Sequence, residues 1–263
     1  MRVDGDSDRY ILKSLAKGLE VLQILAESPH PMALAELSRQ VGSNNATVTR
    51  ICRTLSKQGF VTRDRQRRFH MTPKLLSLGY ASMSGLGWRQ VAQHYLEELA
   101  EQTGETVNLS VLQDRELMYL VRINNTGRII PFDLQLGSRL PLHCTSMGKS
   151  LLAFAREEEL TRILKDYEFA PLTNHTITSE EDFRRELRKV RDTGYSLNDE
   201  ELSYGLRSVS APIRDSSGRA IAALNIAVST KRVSLADLET RLAPLAVETA
   251  EKIRKALGSM ESA

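Results

Sequence analysis

Four apolar residues, Val48, Ile51, Cys52 and Leu55, recur at i, i+3, i+4 and i+7 between Ala46 and Gln58, which predicts a three-turn helix with one complete inward stripe. So short a helix can bury only that stripe, and it must do so inside a small unit. Thr49, Arg50, Arg53 and Lys57 fall on the opposite side, joined at the start by Asn44, Asn45 and Thr47. Core packing has no use for these donors and cations. A major groove does: Arg bonds guanine bidentately, Asn bonds adenine, and Thr offers a methyl to thymine, each good bidentate pair giving about 1–3 kcal/mol of discrimination.

The surroundings agree with that reading. Leu15, Leu19, Leu22 and Leu25 form a helical stripe between Lys13 and Ala26, and Pro29 and Pro31 stop it. A second short helix is predicted from Leu34 to Val41, with Leu34, Leu37 and Val41 inward and Gly42 as its left-handed cap. Ser43-Asn44-Asn45 supplies the next amino-terminal cap. After Gly59, two short strands, Phe60–Arg63 and Arg68–Met71, flank a charged turn and form a wing whose Arg65, Arg67 and Arg68 can meet phosphates. Residues 1–80 hold 13 Lys and Arg against 7 Asp and Glu, whereas the remainder holds 23 against 26. Charge alone would fit a solvated basic surface equally well. Three helices running directly into an arginine-rich hairpin point instead to nucleic acid.

From Pro73 the segment KLLSLGYASMSGLGW reads as a connecting helix weakened by Gly79, Gly85 and Gly87. The run Trp88–Thr103 gives a further amphipathic helix with Val91, Tyr95 and Leu99 inward and Gly104 as its cap. Alternation at Val107, Leu109, Val111 and again at Leu117, Tyr119, Val121 predicts a hairpin around Gln113-Asp114-Arg115. Ser208–Ile213 and Ala220–Val228 predict another around Asp215-Ser216-Ser217-Gly218. Helices are expected at about 146–155, 157–164, 180–193 and 234–257, the last with Leu235, Leu238, Leu242, Leu245 and Leu257 on its apolar side. Paired strands with helices gathered around them predict an α+β second domain with one curved antiparallel sheet.

Several classes are excluded or disfavoured. The longest apolar run, IAALNIAV at 221–228, is far below the roughly 18 residues of a spanning helix. MRVDGDSDRY has no apolar segment of a secretory signal, and Cys52 and Cys144 lack CxxC spacing, so a reducing cytoplasm is the expected compartment and no metal site is expected. There is no GxGxxG, P-loop, HExxH or GxSxG, hence no cofactor and no catalytic residues are expected. His143, Cys144, Thr145 and Ser146 crowd one loop, an arrangement that seldom supplies a base oriented by a third group. That loop instead feeds a helix whose start offers free amides to a small anion. A plain capped helix would show the same residues.

Taken in order, SLAKGLEVLQIL (14–25), the winged helix-turn-helix, LPLHCTSMGKSLLA (140–153), GYSLNDEELSYGLRSVSAPI (194–213) and DSSGRAIAALNIA (215–227) resemble the IclR family of bacterial transcription regulators over nearly the whole chain. The resemblance implies a winged helix-turn-helix over residues 10–72, a linker helix over 73–87 and a GAF-like effector domain over 88–258. It further implies a double-stranded, palindromic DNA operator, a small organic-acid effector, and homodimers that commonly pair into homotetramers. Carried across residue by residue, it places Ser146 and Met147 against a ligand carboxylate, Asn198 and Ser208 at polar lining positions, and Leu206 as an apolar wall. Asn225 and Ala227 take two strand positions that are serines in the glyoxylate-responsive regulator, and Phe132 closes the other side. Asn198 in place of an aspartate and Ala227 without a hydroxyl count against glyoxylate or pyruvate. The HCTSMG wording resembles the subgroup controlling aromatic-acid and β-ketoadipate catabolism. Each pocket residue also has a plain structural reading: Asn225 as a satisfied core amide, Ser208 as a bonded strand hydroxyl, Met147 as packing.

The expectation is therefore a DNA-binding regulator whose operator affinity a small acid controls, with no enzymatic activity. Two alternatives from other classes are an enzyme regulated by its basic amino-terminal region and a winged-helix module that binds protein. Turnover of an aromatic acid would mark the first, and salt-insensitive partner binding without a selected DNA sequence would mark the second.

Overall fold

The computed structural model describes residues 11–84, 87–124 and 134–261, and the chain divides into two compact units, Met1–Gly85 and Leu86–Ala263. In the first, α1 (Lys13–Glu27), α2 (Leu34–Gln40) and α3 (Asn45–Lys57) precede a two-stranded antiparallel sheet of β1 (Val61–Arg63) and β2 (Phe69–Met71), and α4 (Lys74–Ser84) follows. Backbone bonds between Met32 and Phe69 add a third extended segment to this small sheet. Gly42 takes φ +60°, the left-handed conformation that ends α2 within one residue of the turn into α3.

The core of this unit is Val21, Leu25, Met32, Leu37, Val41, Val48, Cys52, Val61 and Phe69. Ile51 and Leu55 pack on its edge, as the stripe on α3 predicts. The stripe on α1 is only half used. Val21 and Leu25 are buried, whereas Leu15 and Leu19 are 59% and 55% exposed. The core takes α1 from its third turn onward, so the first two turns carry leucines with nothing over them in the described structure. Leu12 on that end, and Leu76, Leu78 and Tyr80 on α4, are also exposed.

The second unit opens with α5 (Gly87–Thr103), then β3 (Thr106–Gln113), β4 (Glu116–Ile123), β5 (Arg139–Pro141), α6 (Ser146–Ala153), α7 (Glu157–Leu164) and α8 (Glu180–Thr193). β6 (Ser196–Asp199), β7 (Leu206–Arg214) and β8 (Ala220–Ser229) complete one antiparallel sheet of order β5-β4-β3-β8-β7-β6. The short strands β5 and β6 were not anticipated. The final helix is interrupted: a single turn, α9 (Leu235–Asp237), passes through a π-turn at Leu238–Leu242 into α10 (Ala243–Glu261). Leu238 and Leu242 are buried as expected, while Leu235 stays partly exposed.

One face of the sheet packs on α5 and α10 through Val107, Leu109, Val209, Ile213, Leu224 and Ile226. The inward side of α5 is Ala92, Leu96, Leu99 and Ala100, rotated by one position from the expected Val91, Tyr95, Leu99 stripe, whose first two members are half-buried. Small Ala92 and Ala100 let the helix lie close to the sheet, and the bulkier Val91 and Tyr95 move to its flank. The other face differs from what alternation suggests. Polar residues between apolar ones normally face water in an antiparallel sheet. Here Thr106, Asn108 and Ser110 are buried too, because α6 covers them. None of the helices in the described residues is long and apolar enough to cross a membrane.

Candidate functional site

In the amino-terminal unit, Asn44 caps α3, its Oδ1 accepting a 2.8 Å hydrogen bond from Thr47 N. Behind the cap, Val48 and Cys52 anchor the helix, which leaves Asn45, Arg50, Arg53 and Lys57 exposed on the outer face and Thr47 and Thr49 at its margin. The wing stands beside that face, and Thr49, Arg53, Ser56, Thr62 and Arg63 line a groove between the two. The four wing arginines are not equivalent. The Arg63 guanidinium lies 4.3 Å from the centroid of the Phe69 ring. Arg68 donates from its backbone N and its Nε to the two carboxylate oxygens of Asp64, both at 2.8 Å. Arg65 and Arg67 are exposed at the tip, and Arg67 takes φ +62°.

In the carboxy-terminal unit, the Thr145 hydroxyl donates to Pro141 O at 2.8 Å and accepts from Gly148 N, which starts α6. All eight residues of α6 are buried. Gly148 permits this: a Cβ there would lie 2.3 Å from Leu142 O and 2.6 Å from Leu142 Cα. The helix is then stitched to the sheet. Ser146 Oγ is 2.7 Å from Ser208 Oγ, Ser110 Oγ donates to Met147 Sδ at 3.1 Å, and Ser150 Oγ is 2.8 Å from Ser196 Oγ. Lys149, 1% exposed, donates to Glu201 Oε1 at 2.5 Å, with Glu186 3.8 Å away. Burial pushes the Glu201 carboxyl above its usual range, against the pull of the Lys149 ammonium.

Between α6 and the sheet lies a small cavity of about 20 Å³. Ser146, Met147, Asn198, Leu206, Ser208, Asn225 and Ala227, which lie on one helix and three strands, meet in its wall. Phe132 lies outside the described residues. Register explains the convergence: Asn198 pairs with Ser208, Ser208 with Ala227, and Asn225 with Asn108 across adjacent strands. Sequence reasoning missed Asn108, Tyr119, Arg122, Leu134, Thr145 and Leu202 in the same wall. Asn108 Nδ2 donates to Asn225 Oδ1 at 2.8 Å, and Arg122 Nη1 donates to Asn108 Oδ1 at 3.3 Å. Asn108 was the readable signal, a lone amide alternating with valine and leucine. Arg122 could be found only once Asn108 and Arg122 were known to be cross-strand partners. Among the described residues, Arg122 is the single charged side chain of this wall.

The His143–Ser146 loop is built for structure. The His143 ring bonds Tyr167 Oη and Ala170 O, each at 3.1 Å, and burial lowers its pKa. Burial pushes the Cys144 thiol up to about 12, so it stays protonated and a poor nucleophile at neutral pH.

Residues 14–65 match the family model for the IclR helix-turn-helix domain, and residues 80–255 match that for the bacterial transcriptional regulator IclR C-terminal domain. The Pca regulon regulatory protein of Pseudomonas putida is 36% identical over 241 residues, 92% of this chain and 82% of that protein. A transcriptional regulator from Rhodococcus sp. RHA1 has a similar crystal structure, with a TM-score of 0.81 and 35% identity over 95% of this chain and 100% of the other. The inducer-binding domain of the Acinetobacter PobR transcription factor, a double mutant crystallised with 3-hydroxybenzoic acid, gives a TM-score of 0.58 and 35% identity, covering 63% of this chain and 96% of that domain.

Proposed function

This chain belongs to the IclR family of bacterial transcriptional regulators, and from that footing we propose a homodimer that reads a palindromic operator with α3 and releases or grips it according to a bound aromatic acid. In this reading residues 10–72 bind DNA, 73–87 couple, and 88–258 hold the ligand, with no catalytic step. Two-fold symmetry in the protein matches two half-sites in the operator. The exposed leucines of α1 and α4 give each copy apolar surface for a partner, which supports the dimer.

Asn45, Thr47, Thr49, Arg50 and Arg53 are proposed to reach base edges, while Asn44, whose Oδ1 already caps the helix, reaches the DNA through its Nδ2. Lys57, Arg65, Arg67 and Arg68 are proposed phosphate contacts. Arg50→Ala is expected to lower affinity for the operator about 5- to 150-fold while leaving random duplex nearly unchanged, since one base pairing contributes roughly 1–3 kcal/mol. Equal losses on both DNAs in a competition titration would remove Arg50 from base readout.

The observation that carries the ligand reading is the make-up of the cavity wall, largely uncharged with hydroxyls and amides at several points and Arg122 as its cation, a wall that a ring-sized acid must part to enter. The half-buried Arg122 guanidinium offers a fork suited to a carboxylate, and Tyr119, Met147, Leu134, Leu202 and Leu206 supply apolar surface beside it. The complex of the PobR domain with a hydroxybenzoic acid supports this class of ligand. A thermal-shift screen of hydroxybenzoic acids and short oxo-acids tests it, because a ligand held only by the folded state raises the melting temperature. Arg122→Met is expected to weaken the best acid at least 10-fold, the effect of losing a charge-assisted hydrogen bond of about 1.5–3 kcal/mol, and to leave binding of the matching neutral amide unchanged. An acid that stabilises wild type and variant alike would move the carboxylate elsewhere.

To change operator affinity, the ligand must distinguish two arrangements of the DNA-binding units. A coupling of about 1–3 kcal/mol suffices for a 5- to 150-fold change.

A further inference from the structure

Between Arg39 and Lys74 nine basic residues accompany one acid, Asp64, at the foot of the wing. An acid in a DNA-facing loop repels phosphate, so electrostatics alone makes Asp64 a defect whose removal tightens DNA binding. Its contacts show another role. The backbone N of Asp64 donates to Arg68 O at 2.9 Å and Arg67 N donates to Asp64 O at 3.0 Å, which closes the turn. The carboxylate then accepts from both Arg68 N and Arg68 Nε at 2.8 Å. Asp64 is thus bonded through backbone and side chain to one residue across the loop. The turn so closed has to hold Arg67 at φ +62°, a conformation a non-glycine side chain avoids without such support. Arg65 and Arg67 are carried on that turn with their side chains exposed.

Resting on the proposed wing contact, we infer that Asp64 is a positioning residue for DNA binding: it orders the turn that presents Arg65 and Arg67 to phosphates, and this ordering outweighs its own repulsion. The two effects have opposite signs, which makes them separable. Without the carboxylate, the loop loses both bonds that tie Arg68 to Asp64 and keeps only main-chain bonds to hold the left-handed Arg67, so the guanidinium groups of Arg65 and Arg67 must be ordered at the moment of binding.

The test is the salt dependence of binding of the full chain to random-sequence duplex DNA between 50 and 200 mM salt, where each neutralised phosphate contributes about 0.9 to the slope of log K against log salt. Wild type, D64A, D64N and R67A are compared, with a melting curve for each. R67A should flatten the slope by about one. D64A should bind more weakly than wild type at 50 mM and flatten the slope by one to two, with its melting temperature within about 2 °C of wild type. D64N keeps an acceptor for Arg68 N and should fall between; if D64A does not fold, D64N alone carries the comparison. Tighter binding by D64A or D64N with an unchanged slope overturns the inference while R67A still shows its loss. An R67A slope equal to wild type overturns the wing contact itself, and the inference with it.

Discussion

Gly148→Ala should lower the stability of the carboxy-terminal unit by about 3 kcal/mol or more, at the upper end of the cost of overpacking a closed interior. The added methyl would sit 2.3 Å from Leu142 O and 2.7 Å from Thr145 Oγ1, and two of its three nearest neighbours are backbone atoms. No rotamer change relieves such a contact. Relief requires moving α6 off the loop that caps it, which also displaces Ser146 and Met147 from the cavity wall. For a unit of this size the loss corresponds to a fall in melting temperature of about 6–12 °C. Gly258→Ala is the matched control. That glycine lies within α10 with no heavy atom of the described residues within 4 Å of the added carbon, so alanine should be neutral or mildly stabilising. If Gly148→Ala melts with the control in calorimetry, the tight seat of α6 is wrong.

Lys149→Met should cost about 3–5 kcal/mol, because it leaves the Glu201 carboxylate buried without its cation. The loss should depend on pH in a definite direction. Burial raises the pKa of Glu201 in the folded protein above its unfolded value. The folded state therefore holds a proton that the unfolded state has released, and stability falls as pH rises from the unfolded carboxyl value through the folded one. Removing the ammonium takes away the group that opposes this shift, so the variant should lose more stability than wild type between pH 5 and pH 7.5. Urea titrations at the two pH values read this directly. A variant whose deficit is the same at both would mean that Glu201 reaches solvent. The pair also holds the cavity together: Glu201 N donates to Asn198 Oδ1 at 2.9 Å, so the loop it anchors positions a wall residue.

The parts of the molecule legible in advance were those where one periodicity meets one environment. The stripe Val48, Ile51, Cys52 and Leu55 on α3, the wing with its charged turn, and the two long hairpins of the sheet all follow from local pattern and turn chemistry. Elements failed to read where the environment had two sides. β3 alternates as if half-solvated, yet its polar face lies beneath α6, so Asn108 passed for a surface residue. On α1 the pattern promised four inward leucines, and the neighbouring helices cover only the later turns. The cavity residues named beforehand came from resemblance. Arg122 and Tyr119 enter the same wall through strand pairing, which is a long-range fact. Lys149 was unreadable for the same reason: a lysine one turn into a helix ordinarily lies in water, and only the arrival of Glu201 from 52 residues away lets it stay inside.

The sheet of the second unit keeps its two faces chemically apart. Val107 and Leu109 point to the side that α5 and α10 close, while Asn108 and, across the strands, Asn225 and Ser208 point to the other. One residue step along a strand thus separates what holds the domain together from what lines the cavity. Single replacements on one side of a strand can therefore reshape the cavity while the scaffold behind it is inherited intact.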